Sequence, residues 1–73
     1  MAEVFQANTK VGWDWGQGTA TGYIREVFRE KVTRTIKGSE VTRNASEDNR
    51  AYLIAQQDGG QALKSHSELR RGS

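Results

Sequence analysis

The sequence predicts a small all-β barrel, and three observations carry that prediction. Turn-forming residues recur at short intervals, at Gly16-Gln17-Gly18, Gly38-Ser39 and Asp58-Gly59. Between them run segments rich in Val, Ile, Thr and aromatic residues, none with sustained apolar recurrence at helical spacing. Val11 to Trp15 (VGWDW) alternates strictly, the mark of a half-buried strand. At 73 residues the chain is one domain, residues 1–73, with an ordered core expected over about 8–70.

In the first strand the alternation places Val11, Trp13 and Trp15 on one face. Gly16-Gln17-Gly18 then turns the chain into a second strand running from Thr19 to about Glu30. There Ala20, Gly22 and Ile24 share a parity, but the next inward apolar residue is Val27, three positions on. A β-bulge near Arg25-Glu26 restores the phase and bends the strand. Gly22 is expected where another backbone or a ring packs closely.

Lys31 to Ser46 (KVTRTIKGSEVTRNAS) reads as a hairpin turning on Gly38-Ser39. A two-residue loop that begins with Gly predicts a type II′ turn. That register sets Lys37 opposite Glu40, Ile36 opposite Val41, Thr35 opposite Thr42 and Arg34 opposite Arg43. Like charges facing each other on a sheet repel, so either an acidic neighbour or an anionic ligand must neutralise the two arginines. Arginine forks bind phosphate oxygens in pairs and Thr hydroxyls add donors. The candidate ligand-binding set is therefore Arg34, Arg43, Lys31, Lys37 and Thr42, with Trp15 as a stacking face. The plainer alternative is a solvated hairpin whose arginines pair with Glu47 or Asp48; against it, an exposed Ile36–Val41 pair flanked by two arginines resembles a binding surface.

The polar stretch Asn44 to Arg50 reads as a loop, and Ala51 to Gln57 (AYLIAQQ) is the most apolar strand. Asp58-Gly59 is a type I′ signal leading to the strand Gln61 to Ser65. Ser65 and Glu68 have capping-box spacing, so one 3₁₀ or short helical turn follows, with Leu69 packed beneath it. The first few residues and Arg71-Gly72-Ser73 are expected to be disordered.

Composition excludes several classes of function. The chain has no cysteine and one histidine, His66, which removes disulfides and thiolate or imidazole metal sites. Eleven basic against nine acidic side chains give a net charge of +2, too mild for binding by bulk charge. No apolar run approaches the ~18 residues of a membrane span, and MAEVFQANTK lacks a signal peptide's layout. The expectation is a cytoplasmic monomer without a membrane anchor. Ser65, His66 and Ser67 are adjacent in a tight turn and cannot converge as nucleophile, base and orienting group. No paired carboxylates or Gly-rich phosphate loop occur either, so no enzyme and no resident cofactor are expected. Asn44-Ala45-Ser46 matters only in a secreted protein, and Glu47-Asp48 is too short for a calcium loop.

Three long pieces, VGWDWGQGTATG, EKVTRTIKGSEVTRNASEDNRAYLI and DGGQALKSHSEL, cover roughly residues 10 to 69. In order and spacing they resemble the hypervirulence-associated protein Tudor-like domain family of bacteria and fungi. The resemblance implies an SH3-like or Tudor-like barrel of four or five bent antiparallel strands with one 3₁₀ turn. It also implies that the chain is a whole bacterial protein of largely uncharacterised function, with no catalytic motif to transfer. Two positions depart from the family pattern: Arg50 stands where proline often precedes the Ala-Tyr pair, and Ala55 where an acidic residue is usual.

Several Tudor domains hold methylated ammonium groups in aromatic cages, which would here use Trp13, Trp15, Tyr23 and Tyr52. Trp13 and Tyr52 are expected instead in the core, since few other large side chains exist to fill it. The functional expectation is a non-enzymatic binding module whose basic hairpin meets nucleic acid or a phosphorylated nucleotide, such as a dinucleotide cofactor. The alternative is a protein–protein interaction module using Ile36, Val41 and Trp15.

Overall fold

A computed structural model describes residues 4–57 and 59–72. Its strands are β1 (Lys10–Trp15), β2 (Gly18–Phe28), β3 (Val32–Ile36), β4 (Ser39–Arg43), β5 (Ala51–Gln56), β6 (Gln61–Ser65) and β7 (Arg70–Arg71). A 3₁₀ turn, His66–Glu68, precedes β7. Five strands form one antiparallel sheet in the order β6-β5-β2-β1-β7, and β3 pairs with β4 as a separate ribbon. This is the expected all-β architecture, with one 3₁₀ turn among the described residues.

The bulge falls where the apolar phase requires it. Ile24 pairs with Ile54, and the next pair is Glu26 with Leu53, which leaves Arg25 unmatched in the ladder. Ile24 and Val27 thereby both face the inner cluster of Phe5, Val11, Trp13, Tyr52 and Ile54. Gly22 permits the strong bend of β2 against β5. A Cβ there would lie 2.6 Å from both the Ala55 carbonyl oxygen and the Ile54 Cγ2.

Strand β5 is apolar without alternation because both its faces are covered. Tyr52 and Ile54 belong to the inner cluster. Ala51 packs on the other face with Val32 and Leu63, beneath Phe28, Ile36, Val41 and Ala45. The β3–β4 ribbon therefore lids the outer face of the sheet. Ile36 and Val41 are half-buried in that lid rather than exposed as expected.

The hairpin register differs from the expected one. The pairs are Val32–Arg43, Thr33–Thr42, Arg34–Val41, Thr35–Glu40 and Ile36–Ser39. The loop residues are Lys37 and Gly38, with φ of 52° and 78°. Positive φ at both central positions makes the turn type I′ rather than II′. The correction separates Arg34 from Arg43, each now facing a valine, and removes the like-charge opposition. The Thr33 and Thr42 hydroxyls meet at 2.8 Å on the outward face.

Near the termini the described residues also depart from the expected disorder, while residues 1–3 and Ser73 lie outside the described residues. Phe5 is buried in the inner cluster. Arg70 and Arg71 pair with Gly12 and Val11, and the Gly72 N–H donates to the Lys10 carbonyl at 2.9 Å. The type I′ turn expected at Asp58-Gly59 includes a position outside the described residues.

Candidate functional site at the barrel mouth

The inner face is sealed at one end and open at the other. Tyr52 and His66 share a hydrogen bond of 2.8 Å, and the Phe5 N–H donates to the Tyr52 hydroxyl at 3.2 Å. The Phe5 ring stacks on His66 at 4.6 Å between centroids. The aromatic groups thus plug this end of the barrel, and His66 has the structural part expected of it.

The other end lies between the β1–β2 turn and the β5–β6 turn. Alternation carries Trp15 onto the same face as Val11 and Trp13, one step past the edge of the core. Trp13 is 2% exposed and Trp15 is 71% exposed. A groove of about 450 Å³ opens here, with Trp13, Trp15 and Ala20 on one side. Gln56, Gln61, Ala62 and Lys64 form the other side, and Lys37 reaches in from the tip of the hairpin. Among the described residues no carboxylate lines it. Barrel mouths of this kind, apolar below with few polar groups at the rim, are common ligand sites.

A match over residues 9–69 is found with the family described as Hypervirulence associated proteins TUDOR domain. The chain belongs to this family. Comparison with curated proteins and with solved structures gives no match. The Tudor fold accounts for the bent five-stranded sheet and for the 3₁₀ turn before its last strand.

In this Tudor domain the basic residues singled out from sequence are dispersed. Trp15 and Lys37 come together at the mouth. Lys31 and Arg34 line a different cleft of about 800 Å³, between the end of β2 and β3, which also holds Arg29, Glu30 and Glu47. There the Arg34 guanidinium lies over the Phe28 ring at 4.8 Å and donates to the Thr33 carbonyl at 3.0 Å. Thr42 faces outward, bonded to Thr33.

Arg43 is held within the protein. Its Nε donates to Glu68 Oε1 at 3.0 Å, and Lys64 lies 3.7 Å from the other carboxylate oxygen. The acidic partner is Glu68 rather than Glu47 or Asp48; Glu47 instead lies 4.0 Å from Arg29. Partial burial pushes the Glu68 carboxyl upward, but the Ser65 N–H at 2.9 Å, the Arg43 bond and the Arg43 and Lys64 charges outweigh it. The net result holds the group below the ordinary value of 4.5.

The aromatic residues do not converge on a cage. Trp13 and Tyr52 are core residues, as expected, and Tyr23 lies on the opposite face of β2 from Gly22 and Ile24, paired with Lys10. Sequence reasoning missed Gln56, Gln61 and Lys64. Once β5 pairs with β6 as Tyr52–Lys64 and Ile54–Ala62, Lys64 must share the inner face. The cross-strand register was the missing signal, because β6 alone reads only as QALKS.

Proposed function

We propose that this Tudor domain is a non-enzymatic binding module for an anionic partner, nucleic acid or a phosphorylated nucleotide, held at the barrel mouth. The observation that carries the reading is the company Trp15 keeps. A tryptophan 71% exposed beside Lys37, with Lys64 lining the same groove while shared with Glu68 at 3.7 Å and no described carboxylate in the lining, suits an aromatic ring that carries phosphate. Indole stacks on any base, and ammonium groups neutralise phosphates without demanding a fixed geometry. The two glutamine amides supply donors and acceptors for polar edges.

This reading moves the weight from the hairpin arginines to its tip. Arg43 is already paired with Glu68, and Arg34 lies outside the mouth. Of the three residues assigned to the protein-contact alternative, Trp15 is exposed, while Ile36 and Val41 are half-buried in the outer cluster.

Titration of the labelled protein with RNA, single-stranded DNA and nucleotides, followed by NMR and indole fluorescence, tests the proposal. Shifts are expected at Trp15, Lys37, Gln61 and Lys64, with affinity falling steeply as salt rises. Lys37→Ala with Lys64→Ala should abolish binding with little change in Tm. Shifts confined to Lys31 and Arg34, or binding indifferent to salt, would reject the mouth as the site.

A further inference from the structure

We infer that the free edge of β3 takes up an extended acidic peptide as an added strand, at a second site apart from the barrel mouth. It shares no lining residue with the mouth, so it stands or falls independently of the reading just given. The β3–β4 ribbon is a sheet of its own, and each of its strands has one edge without a strand partner among the described residues. Its two-residue loop is closed by the hydrogen-bonded pair Ile36–Ser39, and bonded pairs then alternate to Arg34–Val41 and Val32–Arg43. The backbone N–H and C=O groups of Thr33 and Thr35 on β3, and of Glu40 and Thr42 on β4, therefore turn outward.

Two arginines treat these edges alike. Arg34 Nη1 donates to the Thr33 carbonyl at 3.0 Å, and Arg43 Nη1 donates to the Thr42 carbonyl at 3.0 Å. Each guanidinium folds over the edge carbonyl of the residue before it, and charge on an edge discourages stray pairing. What holds the two arginines differs. Arg43 is locked by Glu68 at 3.0 Å. Arg34 lies over the Phe28 ring at 4.8 Å and makes no ion pair among the described residues. The β4 edge is latched, whereas the cover on β3 is free to leave for a carboxylate.

The β3 edge also has room beside it. Thr33 and Thr35 are exposed, and a cleft of about 800 Å³ lies between Val27 and Phe28 at the end of β2 and Val32, Thr33 and Arg34. Charge selects the occupant. Lys31 to Ile36 (KVTRTI) holds two cations and no carboxylate, and Lys31 makes no ion pair among the described residues. Glu30 and Glu47 line the cleft too, but Glu47 lies 4.0 Å from Arg29, and neither belongs to β3. A second copy docked edge to edge would bring like cations together, which destabilises strand pairing. An acidic strand instead gains backbone hydrogen bonds from Thr33 and Thr35 and a forked bond from Arg34 to its carboxylate.

The test titrates the full labelled chain with three end-blocked hexapeptides, followed by NMR. They are Thr-Glu-Val-Glu-Val-Thr, the same sequence with lysine for glutamate, and the acidic sequence with its four central backbone amides N-methylated. The acidic peptide is expected to shift Lys31, Thr33, Arg34 and Thr35, and to slow hydrogen exchange at Thr33 and Thr35 but not at Glu40 and Thr42. The lysine and N-methylated peptides should bind at least tenfold more weakly. Thr33→Pro removes an outward N–H and should weaken the acidic peptide at least tenfold, while Thr42→Pro, the matching change on β4, leaves it within twofold. Arg34→Ala should weaken it at least fivefold without affecting the lysine peptide. Equal binding of the N-methylated peptide would overturn strand addition, and equal binding of the lysine peptide would overturn the acidic preference. Self-association through β3 in the peptide-free protein would make a second copy the occupant and overturn the inference. Shifts at Trp15 and Lys37 in place of β3 would overturn it while favouring the mouth as the anion site. No binding of the acidic peptide would overturn it and leave the mouth untouched.

Discussion

The two ends of the barrel's inner face are built from the same strands and finished in opposite ways. At one end Phe5, Tyr52 and His66 stack and share hydrogen bonds, and the first two are almost wholly buried. At the other end Trp15 continues the same alternation and is left in solvent beside two lysines. A small domain with little apolar surface to spare gains stability from every ring it buries. Leaving one of its two tryptophans uncovered at a cavity rim forgoes that gain, which is why the open end reads as the working end.

The sharpest way to break this comparison is to remove one ring from each end. Phe5→Ala should destabilise the fold by about 3 kcal/mol, as deletion of a buried aromatic does. Trp15→Ala should change stability by less than about 0.5 kcal/mol, the usual range for exposed positions. Urea denaturation reads both, and comparable losses would mean that the mouth is ordinary core.

A somewhat smaller effect is expected at the seam between the ends. Gly22→Ala places a methyl group 2.6 Å from the backbone of β5, so β2 must shift away from it. Overpacking of this sort costs about 2 kcal/mol. Because the strain falls on the β2–β5 pairing, hydrogen exchange should accelerate there first, and uniform protection would show that the seam can relax.

Lys37 sharpens the contrast from the other direction. It holds φ of 52°, which side chains with a Cβ rarely adopt. Lys37→Gly should therefore stabilise the domain by about 1 kcal/mol while weakening ligand binding. A gain in Tm with undiminished binding would remove Lys37 from the site.

The smallest effect concerns Glu68. Its depressed pKa means that its contribution to stability is complete above the unfolded carboxyl value near 4.5 and disappears as pH falls through the folded value. The group is 37% exposed, so solvent screening keeps the contribution below about 1 kcal/mol. Glu68→Gln should flatten the acid limb of the stability curve and, by freeing Lys64, leave neutral-pH anion binding no weaker. An identical acid limb in both proteins would show that the pairing carries no stability.

Much of this fold could be read from local pattern. The three-residue step from Ile24 to Val27 located the bulge, Gly22 announced a close approach, and Ser65 with Glu68 marked the 3₁₀ turn. The hairpin register could not be read this way. The expected and observed pairings differ by a slide of two residues, which leaves Val32, Arg34, Ile36, Val41 and Arg43 on one face in both. Only the tertiary fit of Val32 into the outer cluster, together with the separation of two arginines, distinguishes them. Contacts between distant residues were equally silent. Arg43 finds Glu68 across 25 positions, and Phe5, next to Val4 near the terminus, belongs to no periodic pattern that would announce its burial. The mouth was half legible, because Trp15 and Lys37 carry their own signals and Lys64 acquires its meaning only from its partner on β5.

The clasp of β7 onto β1 has a bearing on how the chain can be re-engineered. It carries the Arg71 guanidinium to within 5.5 Å of the Phe5 ring centre, so the described stretches around Phe5 and Arg71 lie side by side. A short bridge could join them, and the backbone could be reopened at Gly16-Gln17 without severing a strand. Such a permuted molecule would retain its plug while freeing the rim beside Trp15, which makes topology itself a handle on recognition.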